Sequence, residues 1–328
     1  MTVRVAVLGA GGHSSVNHGP ALARCVADGE DVTLAAVCDL DEGRAASYAA
    51  AFGFERTYTD LDHMLATEDL DGLVAITPME ATEALAIKIL RAQLPVIIEK
   101  PPGVGAEATQ RLLQVARQTG TPHMVSFNRR FCPALLKACA WMEEAGVRPR
   151  LIIGRMLRHQ RLETFFARDT GIHLIDCVLS LTGAPQRVET VIDGGKRATL
   201  YSGRLLQDGG PQVSIQIAPD SGTPEESVEL LCDDARIELD FQHPAVRIDN
   251  NGERVMDWSA ADEGMPDYEE NGSLGETRAF LQGLRQLKQA GATAALAPDL
   301  AQGLLSMQVA DAFQQGICRD DLELQTIE

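Results

Sequence analysis

Nothing in this sequence suits it to crossing a bilayer as a helix. A spanning helix needs about 20 consecutive apolar residues, and no apolar run in the 328 residues approaches that length. The N-terminus enters a strand directly instead of passing through a basic region and a signal-type core, so a soluble protein of the cytoplasm is expected. A cysteine framework is also missing. The seven cysteines, Cys25, Cys38, Cys132, Cys139, Cys177, Cys232 and Cys318, are odd in number, scattered and without a Cys-x-x-Cys pair. That pattern argues for reduced thiols and against a zinc site or disulfide bonds. Positive charge is scarce as well: 29 lysines and arginines face 47 acids, a net charge of −18. Nucleic acid and anionic membranes are therefore excluded as natural partners. The chain holds no internal repeat and no low-complexity segment.

What remains is a globular composition, 45% hydrophobic and 23% charged, in a chain too long for one core, so two domains are expected. Its charge is uneven. Eight arginines and one lysine face three glutamates between Arg129 and Arg168, whereas sixteen acids face three arginines between Asp220 and Glu270. The acidic run reads as a solvated face.

In order, the apolar strand Val3 to Leu8 runs into Gly9-Ala10-Gly11-Gly12, and Ala21 to Val26 follows with helical spacing. Strand, glycine turn and helix form a dinucleotide-binding arrangement: glycines let the backbone approach a pyrophosphate, and a helix N-terminus offers it free N–H groups. Ser14 stands where the third glycine of that pattern belongs, so Gly12 or Gly19 takes its part. The second strand, Val32 to Cys38, ends in Asp39. An acid there accepts hydrogen bonds from ribose hydroxyls and repels a 2′-phosphate, favouring NAD over NADP. Arg44 nearby tolerates a phosphate, which keeps NADP open, and Asp39 can alternatively cap the helix starting near Glu42.

A strand from Leu73 to Ile76 ends at Thr77-Pro78, a helix covers Ala81 to Ala92, and the β-branched run after Leu94-Pro95 ends in Glu99-Lys100 before two prolines. Such a run reads as a buried parallel strand whose end lies at the sheet edge where ligands bind. The plainer reading is a polar strand end. A helix from Ala106 to Thr119 and a strand from His123 to Phe127 complete an alternation that calls for a doubly wound parallel sheet. Beyond residue 123 the rhythm changes. Helices at Pro133 to Glu144 and Gly171 to Leu181 flank a strand at Leu151 to His159. Then come strands at Arg187 to Ile192, Val213 to Ile217, Ser227 to Leu231, Ala235 to Phe241 and Ala245 to Asp249. Consecutive strands indicate an antiparallel sheet. Helices near Glu276 to Gln289 and Pro298 to Gln314 close the chain.

In Asp169-Thr170-Gly171-Ile172-His173-Leu174-Ile175-Asp176, the spacing puts residues 169, 173 and 176 on one face if a single helix holds all three. An acid one turn before a histidine orients the imidazole as a general base requires. Three alternatives stay open: Asp169 as an N-cap, His173 as a core histidine satisfied by Asp176, or a metal held by the Asp/His face.

Gly9-Ala10-Gly11, Thr77-Pro78, Glu99-Lys100-Pro101, Asn128-Arg129-Arg130-Phe131 and Asp169-x-x-x-His173-x-x-Asp176 occur in the order seen in the glucose–fructose oxidoreductase and inositol dehydrogenase family, Gfo/Idh/MocA, which the chain resembles along nearly its whole length. The resemblance implies an α/β fold, with an N-terminal Rossmann domain at 1–123 and a C-terminal α+β domain at 124–328 on a largely antiparallel open sheet. That sheet is implied to pair subunits into a homodimer or homotetramer. It further implies hydride transfer between NAD, or NADP, and a secondary alcohol of a sugar, polyol or sugar acid. Lys100 resembles the lysine that hydrogen-bonds the reacting oxygen, His173 the acid/base histidine, and Asp169 its companion. Gly9, Gly11, Gly12, Asp39, Arg44, Thr77, Pro78 and Glu99 fall to the cofactor. Asn128, Arg129, Arg158 and Asp176 are candidates for substrate contact; Arg155, Arg158 and Arg161 either suit an anionic group on it or pair with the chain's surplus acids at the surface. The chain departs from the pattern at Met79-Glu80-Ala81-Thr82, where the family often has a histidine, and at Thr164 to Arg168, where it often has a glycine-rich turn. Two further functions stay open: a nucleotide-binding regulator without catalysis, and a glycosidase or isomerase that recycles its NAD.

Overall fold

The computed structural model describes residues 1–290 and 296–320. From the N-terminus run β1 (Val3–Leu8), α1 (Gly12–Val16), α2 (His18–Ala27), β2 (Val32–Cys38), α3 (Glu42–Phe52), β3 (Arg56–Tyr58), α4 (Leu61–Thr67), β4 (Gly72–Ala75), α5 (Met79–Arg91), β5 (Val96–Glu99), α6 (Ala106–Thr119) and β6 (His123–Ser126). After a short 3-10 turn come α7 (Pro133–Ala145), β7 (Pro149–Leu157), α8 (Phe166–Asp169), α9 (Ile172–Thr182), β8 (Arg187–Gly194), β9 (Thr199–Leu206), β10 (Gln212–Ala218), β11 (Glu225–Cys232), β12 (Ala235–Asp240), β13 (Ala245–Asn250) and β14 (Glu253–Ser259). The last elements are α10 (Asp267–Glu270), α11 (Ser273–Ala290), α12 (Leu300–Gln315) and β15 (Arg319–Asp320).

Two compact units result. The first joins Met1–Asn128 to Asp267–Gly303; the second takes Arg129–Pro266 and the described residues from Leu304 to Asp320. Where the sequence suggests one boundary near residue 123, packing returns α10 and α11 to the first unit. The cause is apolar: Phe280 and Leu284 of α11, both buried, fill the space that Gly72 at the start of β4 leaves without a side chain. Arg278 and Arg285 of the same helix pair with Glu30.

The first unit's sheet has the order β3-β2-β1-β4-β5-β6 with every pairing parallel. The β-branched runs of β1, β2 and β5 are buried almost throughout, as strands covered by helices on both faces must be. Asp41 caps α3, accepting from the Arg44 N–H at 3.0 Å, and Gly53 ends that helix in the left-handed region at φ 84°. Strand order reverses between β1 and β4, so the crevice of the sheet opens at their carboxyl ends, at Gly9 and Thr77.

The second unit's sheet, among the described residues, runs β14-β13-β12-β11-β7-β10-β9-β8-β15, antiparallel except where β7 meets β10. Ile152, Met156, Ile215, Ile217, Val228 and Leu230 alternate inward, and α9 lays Leu174 and Val178 over Gly154. Three strands of this sheet escape the sequence pattern: β9, β14 and the two-residue β15. β9 carries Gly203, which lies under the Phe313 ring, and most residues of β14 are exposed, so no apolar period marks it. Among the described residues, no helix is long and apolar enough to cross a membrane.

Candidate functional site

At the end of β1 the chain turns through Gly9, at φ 98°, with its N–H bonded to Cys38 O at 2.8 Å. A Cβ here would stand 2.0 Å from Ile76 O, so only glycine lets β1 and β4 finish this close together. Gly11 and Gly12 differ: a Cβ on either would meet open space, the room a pyrophosphate needs beside the start of α1. Ser14, in the third glycine's place, is buried with its hydroxyl 2.9 Å from that of Tyr48. The helix breaks at Asn17 and restarts as α2, where a Cβ on Gly19 would lie 2.5 Å from the Phe52 ring. Gly19 therefore does the close-packing work of the third glycine, bringing α2 onto α3.

Asp39, at the tip of β2, is buried, with three donors on Oδ1 and only one on Oδ2. Its carboxylate accepts from Ala10 N at 2.8 Å, Asp41 N at 2.9 Å and the Arg44 guanidinium at 2.8 Å. Burial pushes its pKa up, but Arg44 and the two N–H donors together hold it below the usual carboxylate range. It is not the cap of α3; Asp41 is. Beside it a groove of about 610 Å³ is lined by Ala10, Ser15, Asp41, Arg44, Ser47 and Tyr48, among others. Glycines facing open space and an ionised acid at the β2 tip fit a dinucleotide with free ribose hydroxyls.

Along the same edge, Thr77 and Pro78 follow β4, with the Thr77 hydroxyl 3.0 Å from that of Thr82. Glu99 ends β5 buried, and Lys100, half-buried, precedes Pro101 through a cis peptide bond. Two residues the sequence reading left unassigned lie at Glu99: His13 Nε2 is 3.6 Å and His18 Nε2 3.7 Å from Glu99 Oε2. Burial opposes ionisation of Glu99, yet His18, His13 and Lys100 keep its pKa below the ordinary value. A histidine just after a glycine turn and another five residues on were the available signal. Asn128 follows β6 and donates to Asn271 O at 2.9 Å, while Asn271 donates to Asn17 Oδ1 at 2.8 Å, tying the β6 end to the glycine-turn segment.

In the second unit, residues 169, 173 and 176 do not share one helix. α8 ends at Asp169 and α9 starts at Ile172; Gly171 lies between them, where a Cβ would be 2.4 Å from Ala167 O. Asp169 accepts from Arg168 Nε at 2.7 Å, and His173 sits half-buried in the first turn of α9. Asp176 is completely buried, gripped by both arms of Arg130 at 2.8 Å and by Ser306 at 2.8 Å. Arg129 and Arg158 both close on Glu226, a buried acid that the sequence reading did not single out. Burial raises its pKa, but the two guanidiniums bring it down to about 2. Its inward position on β11, in step with Val228 and Leu230, was the signal: an acid in an apolar register needs a buried partner. Arg155 is 4.0 Å from Glu225, and Arg161 pairs with Glu163. The arginine-rich run thus meets acids of its own unit.

Comparison with known proteins agrees with this geometry. Residues 3–127 match the oxidoreductase family GFO_IDH_MocA, NAD-binding Rossmann fold. The chain is 29% identical over 189 residues to inositol 2-dehydrogenase 2 of Saccharopolyspora erythraea, a match covering 56% of this chain and 55% of that protein. It is 37% identical over 134 residues to inositol 2-dehydrogenase of Rhizobium meliloti, covering 40% of this chain and 38% of the other. The chain thus spans about half or less of the length of these two relatives. In fold it is similar to a dehydrogenase from Chromobacterium violaceum, with a TM-score of 0.84 at 18% identity over 96% of this chain and 95% of that one. Over residues 3–127 the chain is thus similar to the Gfo/Idh/MocA oxidoreductases with an NAD-binding Rossmann fold.

Proposed function

We propose that this protein is an NAD-dependent oxidoreductase acting on a secondary alcohol of a sugar or polyol. The observation that carries the reading is the edge of the first sheet: Gly11 and Gly12 face open space after β1, Asp39 stands ionised at the tip of β2, and Lys100 follows β5. When bound, NAD supplies the acceptor for the hydride. Asp39 accepts from the ribose hydroxyls and disfavours a 2′-phosphate, while Thr77, Pro78 and Glu99 border the cofactor. Lys100 donates to the alcohol oxygen and stabilises the charge that develops as its proton leaves. His173, in the first turn of α9, takes that proton; a neutral imidazole is the right base near neutral pH.

The substrate reading leans to neutral polyols. Arg129 and Arg158 are committed to Glu226, and Arg155 and Arg161 lie beside Glu225 and Glu163, so the arginines offered as anion binders have acids already. The inositol dehydrogenases among the relatives point the same way. A second copy is proposed to pair on the open face of the nine-stranded sheet.

The test is NADH formation at 340 nm with a panel of inositols, sugars and sugar acids, run beside calorimetric NAD binding. Lys100→Met and His173→Ala are expected to lower turnover by about 10²–10⁴-fold and leave the Kd for NAD within about threefold. Tight NAD binding with no turnover on any alcohol would instead make this a regulator. Preference for carboxylated sugars would return the arginines to the substrate.

A further inference from the structure

The cluster at Glu99 has chemistry that cofactor binding does not use. His13 comes from α1, His18 opens α2 after the break at Asn17, and Glu99 ends β5. Their three ligand atoms lie within 4.8 Å of one another. Both imidazoles turn Nε2 toward the same carboxylate oxygen, at 3.6 and 3.7 Å. These separations exceed a hydrogen bond. They sit close to the roughly 3.4 Å edge of a tetrahedron whose centre binds nitrogen and oxygen at about 2.0–2.1 Å. The interior members are also under-satisfied: among the described residues, Glu99 Oε2 and His18 Nδ1 are buried without a hydrogen-bond partner, and the His18 side chain is only 2% exposed. Leaving such groups unpaired is costly, and a cation held between them would remove the cost at the carboxylate.

We propose that His13 Nε2, His18 Nε2 and Glu99 Oε2 form a binding site for a divalent transition-metal ion of the zinc class. Two imidazoles and one carboxylate suit zinc, and nearby first-row ions, over magnesium or calcium, which favour oxygen ligands throughout. Three protein ligands leave one tetrahedral position for water, on the side of His13, whose side chain is 53% exposed. The closing movement falls to this exposed ring. Its Nδ1, now 3.2 Å from Asn17 Nδ2, would carry the proton once Nε2 binds the ion and would turn away from that amide. The site shares Glu99 with the proposed cofactor edge but needs no nicotinamide to exist.

Its test is calorimetric titration of the EDTA-treated full-length protein with zinc chloride, without nicotinamide, followed by cobalt(II) spectroscopy. The expected result is one zinc per chain and the intense visible absorption of four-coordinate cobalt. His13→Ala should weaken binding by about tenfold or more, since one ligand worth over about 1.4 kcal/mol is lost. His63→Ala, which removes an exposed imidazole on α4, should leave binding unchanged. Absence of stoichiometric zinc, equal affinity in the His13→Ala protein, or a six-coordinate cobalt spectrum would each overturn the assignment. His13 is exposed, so its variant is expected to fold, and a matched thermal unfolding curve checks that.

Discussion

Glu99 and Glu226 are both buried carboxylates at or near strand ends, and they are solved in opposite ways. Glu226 accepts from Arg129 at 2.8 and 3.2 Å and from Arg158, so two guanidiniums surround one acid. Glu99 has two imidazoles at 3.6 and 3.7 Å, out of hydrogen-bond range. The first arrangement is closed: every strong donor is used and nothing invites a ligand. The second is open, with an ionised oxygen near the edge of a parallel sheet where ligands bind. Burial alone does not mark a functional acid; the state of its partners does.

The sharpest break of this comparison is Glu226→Ala, which strands two buried guanidiniums and is expected to cost about 3–5 kcal/mol of unfolding free energy. Glu226→Gln isolates the charge. With a folded pKa of about 2 against an ordinary 4.5, the ionised Glu226 stabilises the fold fully above pH 4.5 and loses that contribution as pH falls toward 2. Urea unfolding between pH 6 and pH 3 should therefore show a gap between wild type and variant that narrows on acidification. A gap constant across that range would mean the acid is not held ionised by Arg129 and Arg158.

The same pair explains what the sequence made legible. Glu99-Lys100-Pro101 was readable because a β-branched run, prolines and a terminal charged pair all lie in one local stretch. Most of the first sheet was readable for the same reason, since its βαβ steps are written in consecutive residues, but the short, mostly exposed β3 was not. The expected α/β architecture, parallel sheet first and antiparallel sheet second, is the one observed. The arginine-rich run offered a basic patch, but its partner Glu226 lies 97 residues beyond Arg129, and no local pattern states that distance. The break between α8 and α9 was hidden in Gly171, which helical spacing alone passes over. β14 was hidden because an exposed edge strand needs no apolar alternation.

Two glycines carry a milder version of the contrast between closed and open. Gly19→Ala forces a Cβ to 2.5 Å from Phe52 and 2.8 Å from the Tyr48 hydroxyl, and should cost about 1–3 kcal/mol. Gly12→Ala meets open space within α1 and should leave thermal stability unchanged or slightly raised, while weakening NAD binding. Measuring Tm and NAD affinity on both variants separates the packing glycine from the ligand-facing one. Equal losses of stability would erase the distinction.

Asp39 stands between the two buried glutamates in character, closed toward Ala10, Asp41 and Arg44 and yet at the sheet's ligand edge. Asp39→Asn keeps the size and one acceptor but removes the charge that repels a 2′-phosphate. Loss of charge-assisted bonds to the ribose should weaken NAD by about tenfold, worth about 1.4 kcal/mol. Arg44, freed from its acid, should improve NADP binding in the same protein, so the ratio of the two Kd values moves further than either alone. Isothermal titration with both dinucleotides reads this directly. A ratio unmoved by the substitution would place Asp39 with Glu226, as an acid that holds the fold together, and would leave cofactor choice to residues beyond the tip of β2.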